Sequence, residues 1–195
     1  MKKEVARLVE QGVLSPIKSS EWVCPSFAIP KKNKTIRFIS DFRGLNKKIK
    51  RKSFSLPLMH NIIPSIGKFK HATTIDLIMG YYSMLLDEKG RERCMIYLHW
   101  GLYCYSVLLM GLIVSVDVFQ ETTGKLMADL EKVFVYMDEI IIIGDGAFEI
   151  YMKNVKEVLE RLVDKGIQIN PDKSSWARDQ VEYLGFLLNR DGIEP

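Results

Sequence analysis

The stretch VFVYMDEIIIIG, Val133 to Gly144, sets two adjacent acids, Asp138 and Glu139, inside an otherwise apolar run. VFVY and IIII read as two strands separated only by Met137, Asp138 and Glu139, so the acids fill a tight hairpin turn and the strands pair antiparallel. A strand-rich segment with that turn predicts an α+β fold, a small antiparallel sheet backed by helices, rather than a parallel α/β sheet. Acids in a turn are also common as solvated turn formers, so the pair by itself leaves both a structural and a catalytic reading open.

Working outward, HATTIDL is a β-branched strand ending on Asp76, and its neighbourhood with the hairpin would bring three carboxylates to one sheet edge. Such a group repels itself unless a cation neutralises it, and carboxylate oxygens are the ligands that Mg²⁺ prefers. From Phe148 to Val163 apolar residues follow a helical period, closed by Gly166, and VEYLGFLL reads as a final strand pair or half-hairpin. Toward the N-terminus, MKKEVARLVEQGVL is an amphipathic helix closed by Gly12, its Glu4 and Glu10 excluding a signal peptide. SFAIP and TIRFIS form a hairpin with KKNK at its tip, and SLPLMHNIIPSIGKFK is a short helical pattern with a proline at each end and Gly67 as its cap.

Composition bounds the function. The 195 residues are 47% hydrophobic and contain no low-complexity stretch, which fits one folded domain or two small lobes. Cys24, Cys94 and Cys104 have no disulfide or zinc spacing, which points to a reducing, intracellular setting. The net charge is +4, yet Lys31 to Lys52 holds ten basic residues against one acid, Asp41. That block is the signature of a polyphosphate partner, or else a solvated basic loop. Cys94 to Val116 carries no Asp, Glu, Lys or Arg and resembles a membrane span in hydropathy, but His99, Gly101, Ser106, Gly111 and Ser115 interrupt it.

Four segments, IDLIMGYYSMLL, VYMDEIII, FRGLNKKIKRKSFSLP and VEYLGFLLNRDGI, together resemble the motifs of reverse transcriptases. Their order and spacing are similar to those of gypsy-type LTR retrotransposons, from Val5 to Gly192. The resemblance implies a right-hand polymerase fold with basic fingers over about 1–70 and mainly palm, with interleaved fingers segments, over about 71–195. The thumb, connection and ribonuclease H segments of such polyproteins would lie outside this stretch, as would protease and integrase. It implies an RNA-directed DNA polymerase, a nucleotidyltransferase with two Mg²⁺ ions (Mn²⁺ as a substitute), an RNA or DNA template with its primer, deoxynucleoside triphosphates and the rest of a polyprotein as partners. It implies no membrane partner, and a setting in the cytoplasm, within a virus-like particle, or in the nucleus.

Carried over by position, Asp76, Asp138 and Glu139 would be the catalytic metal ligands. Lys31 and Arg37 would grip the triphosphate, where a planar guanidinium can fork onto phosphate oxygens. Tyr81 would lie under the sugar, Gln120 would contact template and nucleotide, and Lys173 would stand near the leaving pyrophosphate. Lys47, Lys48, Lys50, Arg51 and Lys52, with Tyr136, Met137, Leu184 and Gly185, would touch the nucleic acid. Two departures stand out. Glu139 replaces an Asp, and LLMGLIVSVDVFQ puts Leu109, Val114 and Val116 where the family has Pro, Asn and Pro. They keep open a second reading: a weakened or inactive remnant that retains the fold and binds nucleic acid.

Overall fold

The computed structural model describes residues 1–30, 36–51, 59–78, 80–190 and 192–194. In chain order the elements are α1 (Lys2–Glu10), β1 (Leu14–Ile17), β2 (Cys24–Pro30), β3 (Ile36–Ser40), α2 (Arg43–Asn46), α3 (Met59–Ile66), β4 (His71–Ile78), α4 (Glu88–Arg93), β5 (Met95–Leu98) and β6 (Gly101–Tyr105). There follow α5 (Ser115–Met127), β7 (Val133–Tyr136), β8 (Glu139–Gly144), α6 (Phe148–Asp164), β9 (Gln168–Arg178), β10 (Gln180–Tyr183), β11 (Phe186–Asn189) and β12 (Ile193–Glu194). The α+β class is borne out, with antiparallel pairing throughout except one short parallel pairing of β2 with β5. The chain divides into two compact units, Met1–Lys52 with Tyr81–Ser115, and Ser53–Gly80 with Val116–Pro195.

The first unit is a five-stranded sheet of order β1-β6-β5-β2-β3. Its core joins Val5 and Leu8 of α1 to Leu14, Phe42, Leu45, Ile96 and Leu109. The apolar Cys94–Val116 run, which reads as membrane-like in hydropathy, is the β5–β6 hairpin followed by a loop, and no helix of the described residues is long and apolar enough to cross a membrane. Leu109 is buried and Val114 packs against the same core, so two of the three apolar replacements find partners by burial. The loop is fastened by Asn46, whose side chain donates to the Gly111 carbonyl at 2.7 Å and accepts from the Ile113 N–H at 2.9 Å. Gly111 itself has φ 104, a conformation that a side chain would strain.

The second unit has a four-stranded sheet of order β7-β8-β4-β9 and a three-stranded sheet of order β10-β11-β12. Ile140, Ile141, Ile142 and Ile143 of β8 are all buried because both faces of the strand are covered. Ile141 and Ile143 share one face with Ala72 and pack with Ile62, Ile63 and Ile66 of α3 and with Val181, Tyr183 and Leu188. Thr73 and Ile142 occupy the opposite face, under α6, where the Thr73 hydroxyl meets the Tyr151 hydroxyl. Pro64, expected at the end of its helical pattern, lies inside α3.

Arg161 of α6 reaches the last turn of α5 and the segment after it, donating to the Leu126 carbonyl at 2.7 Å and pairing with Asp129 and, within α6, with Glu157. The guanidinium holds the Asp129 carboxyl down at about 2 from 3.8. A depressed carboxylate stabilises the fold above its unfolded pKa and loses that contribution as pH falls through the folded one. Arg161→Met is therefore expected to lower the melting temperature at neutral pH, with the deficit against the parent chain shrinking between about pH 4 and pH 2. Thermal melts across that range check it.

Candidate active site

The acid-bearing hairpin differs from the sequence expectation in one respect: its turn has two residues, Met137 and Asp138, and Glu139 opens β8 opposite Tyr136. Met137 has φ 52 while Asp138 is not at positive φ, the sign pattern of a type II′ turn, which normally carries glycine at its first central position. A side chain in the left-handed region costs about 1–2 kcal/mol, so other contacts must hold this turn. One of them comes from β4, whose Leu77 N–H donates to the Asp138 carbonyl at 2.8 Å.

Register places Asp76 directly opposite Glu139, on the sheet face that buries Ile141 and Ile143 nearer its other end. On the far side of β4 the ladder with β9 shifts register, from Thr74↔Ser175 to Asp76↔Asn170, so that residues 171–174 bulge out. Ser174 fills the gap, its hydroxyl accepting from the Asp76 N–H at 3.1 Å and donating to the Asn170 carbonyl at 2.7 Å. The same bulge carries Lys173, whose ammonium stands 3.8 Å from the Asp76 carboxylate. The two-residue loop between β10 and β11 closes the site. Leu184 and Gly185 have φ 53 and 80, as a type I′ turn requires, and the Leu184 N–H donates to Glu139.

These parts enclose a cleft of about 370 Å³ whose walls include Asp76, Glu139, Lys173, Glu182, Leu184 and Gly185. Burial raises the Glu139 carboxyl above its ordinary value; the Leu184 N–H opposes this, and the negative charges of Asp138, Asp76 and Glu182 add to it. The expected convergence of three carboxylates is only partly realised. Among the described residues no three His, Cys, Asp or Glu side chains are gathered closely enough to cage a metal.

The other sequence-derived candidates fall in several places. Tyr81 is half-buried in the 3₁₀ turn Gly80–Ser83. Lys47, Lys48, Lys50 and Arg51 are exposed on and after α2, with the Lys48 ammonium 4.7 Å from the Trp22 ring. Lys31, Lys52 and the side chain of Arg37 lie outside the described residues. Tyr136 and Leu184 are partly buried against the core beneath the cleft. Gln120, expected to touch template and nucleotide, is buried, with both ends of its amide bonded to the acid-bearing hairpin.

Sequence reasoning did not single out Asn46, Ser174 or Gly80. A Cβ built on Gly80 would lie 2.4 Å from the Phe119 ring, and Phe119 is fully buried, so neither can yield. Gly80→Ala is expected to cost about 1–3 kcal/mol by overpacking. Chemical denaturation of the variant measures it, and an unchanged midpoint would contradict the packing.

Solved structures share this architecture. The foamy viral protease–reverse transcriptase in complex with double-stranded DNA superposes with a TM-score of 0.90 at 22% identity, covering 98% of this chain and 34% of that one. The same enzyme with an RNA/DNA hybrid gives 0.88 at 22% identity, over 99% of this chain and 26% of the other. The profile of the reverse transcriptase (RNA-dependent DNA polymerase) family matches residues 29–188, and the chain belongs to that family. Among curated relatives, the retrovirus-related Pol polyprotein from transposon gypsy of Drosophila melanogaster is 29% identical over 98% of this chain and 19% of the polyprotein. The corresponding polyprotein from transposon 412 of the same fly is 28% identical over 98% of this chain and 16% of its own length. The chain thus spans less than a fifth of these two relatives.

The family implies a divalent metal, and the donor set fits one. The cleft offers hard carboxylate oxygens, with Asp76 opposite Glu139 across the ladder and Glu182 in the same wall. Mg²⁺ is commonly held by one or two carboxylates, with water and substrate phosphates completing its shell, so the lack of a three-carboxylate cage is compatible with it.

Proposed function

We propose that this chain is the fingers and palm of a retroelement reverse transcriptase and adds deoxynucleotides to a primer 3′-hydroxyl on an RNA or DNA template. The observation that carries the reading is the pairing of Asp76 with Glu139 across the β4–β8 ladder, next to the Asp138 turn and in a family member. Asp76 and Asp138 would hold the divalent ions, which when bound supply charge neutralisation at the attacking and leaving oxygens.

The protein's own side chains do the remaining work in this proposal. Lys173 brings positive charge beside Asp76, where the leaving pyrophosphate needs it. Lys31 and Arg37 grip the triphosphate. Tyr81 stands beneath the sugar and excludes a 2′-hydroxyl by contact, while Met137, Tyr136 and the Leu184–Gly185 turn hold the primer end. The first unit serves as fingers and the second as palm.

The basic block carries affinity for the template–primer. Each neutralised phosphate releases counterions, so the logarithm of the binding constant is expected to fall with the logarithm of salt at a slope of about −0.9 per contact on a duplex. Replacing Lys47, Lys48, Lys50 and Arg51 together by Ala should flatten that slope and weaken binding on every sequence alike. Fluorescence anisotropy between low and physiological salt checks it; a salt-independent constant, or a loss confined to one template sequence, would contradict it.

A second reading has support of its own in Glu139, a longer carboxylate at the position where the family motif has Asp: a copy that binds nucleic acid without synthesis. Primer extension with the purified chain separates the two. Extension in Mg²⁺ or Mn²⁺ supports the polymerase, and binding without extension in either ion supports the remnant.

A further inference from the structure

Gln120 stands in the middle of α5 and is 3% exposed. Its Nε2 donates to the Val135 carbonyl at 3.0 Å and its Oε1 accepts from the Met137 N–H at 2.6 Å. The two partners fix the orientation of the amide, because a carbonyl demands a donor and an N–H an acceptor. Both belong to the β7 side of the catalytic hairpin, and β7 is the outermost strand of its sheet. The carbonyl and N–H of residues two apart along an edge are the pair that one residue of a further strand would satisfy.

We infer that Gln120 is a positioning residue of the proposed polymerase site: its carboxamide docks on the free edge of β7 in place of a strand residue and holds the Met137–Asp138 turn. The turn needs holding because Met137 has φ 52, where glycine is the relaxed choice. The clamp acts on Met137 from the β7 side, and the Leu77 N–H bond to the Asp138 carbonyl acts from the β4 side. Between them the backbone that bears Asp138 is fastened on both flanks. Buried and bonded at each end to the hairpin backbone, the amide is engaged by the fold itself. The inference rests on the polymerase reading only for its consequence in turnover; the clamp itself is a property of the fold.

Residue-resolved amide hydrogen exchange on the whole chain tests it without requiring synthesis. Gln120→Met keeps length and apolar bulk but removes both hydrogen bonds. Exchange at Met137 and at Leu77 is expected to quicken about tenfold, the usual worth of one net hydrogen bond, while Ile141 and Ile143 deep in the ladder keep their protection. Adding Met137→Gly to that variant should restore protection at Leu77, because glycine adopts positive φ unaided. In primer extension the Gln120→Met chain should lose kcat with little change in KM for the nucleotide.

Unchanged protection at Leu77 would overturn the inference. So would an equal loss at Ile141 and Ile143, which would make Gln120 a core residue only, or a raised KM with kcat intact, which would make it a substrate contact. The exchange result stands whether or not the chain synthesises DNA, so failure of the clamp and failure of the polymerase reading are distinguishable.

Discussion

Asp138→Asn is expected to abolish primer extension, lowering the rate by at least about a thousandfold, and Asp76→Asn to do the same. Asn keeps the size and one acceptor oxygen of the side chain, so the fold and the turn are retained. What would be lost is a negative charge where the proposed site holds a hard cation, and with it several kcal/mol of transition-state stabilisation, each 1.36 kcal/mol of which is about tenfold in rate. The hairpin's backbone is anchored independently of that charge, by the Leu77 N–H on the Asp138 carbonyl and by Gln120 on Met137. Thermal melts of the two variants should therefore match the parent within a few degrees while single-turnover synthesis disappears. Retention of more than a tenth of the rate by Asp138→Asn would remove it from the proposed metal site.

The second large effect concerns Glu139, where charge is preserved and geometry is not. One extra methylene moves the carboxylate by roughly 1.5 Å, against ligand distances near 2.0–2.1 Å that Mg²⁺ scarcely relaxes. The structure gives the longer side chain another engagement, the Leu184 N–H of the β10–β11 turn. Glu139 is thus expected to be a peripheral or water-mediated ligand. Glu139→Gln preserves the acceptor for Leu184 and discards the charge, so it should keep at least about a hundredfold more activity than Asp138→Asn. Glu139→Asp restores the shorter reach and should raise synthesis, more in Mg²⁺ than in Mn²⁺, since a misplacement near 1 Å can cost about a hundredfold. If Glu139→Asp lowers a measurable rate, the bond to Leu184 matters more than the reach, and Glu139 is an adapted ligand. An inactive parent left inactive by Glu139→Asp points instead to the loop bearing Leu109 and Val114 or to Val116 in the first turn of α5.

Elements whose hydrophobic period is undisturbed were legible in the sequence. The amphipathic α1 closed by Gly12, α3 closed by Gly67, α6 closed by Gly166, the β2–β3 pairing and the β7–β8 and β10–β11 hairpins all follow from spacing and turn chemistry. β9 escaped because it is mostly polar and exposed, contains Pro171, and breaks register twice against β4, so no alternation survives to mark it. β5 and β6 escaped for the opposite reason, lying in a run so evenly apolar that period carries no information.

At the candidate site, Asp76, Asp138 and Glu139 stand out in the sequence by type and position, whereas the parts that place them do not. The hydroxyl of Ser174 under Asp76 and the double bond of Gln120 to the hairpin depend on tertiary contacts between residues far apart in the chain. No local pattern announces such contacts. The sequence suggests a turn one residue too long because Glu139 looks like a turn acid, while the ladder pairs it with Tyr136 and Asp76.

Single-nucleotide incorporation on an RNA template shows whether the chain is a templated polymerase. The purified chain, a DNA primer annealed to RNA, Mg²⁺ and one deoxynucleoside triphosphate at a time are sufficient. The account predicts that only the nucleotide complementary to the template base extends the primer, and that moving to a different template base changes which nucleotide is used. Extension by all four nucleotides regardless of template, or by none in either Mg²⁺ or Mn²⁺, would contradict it.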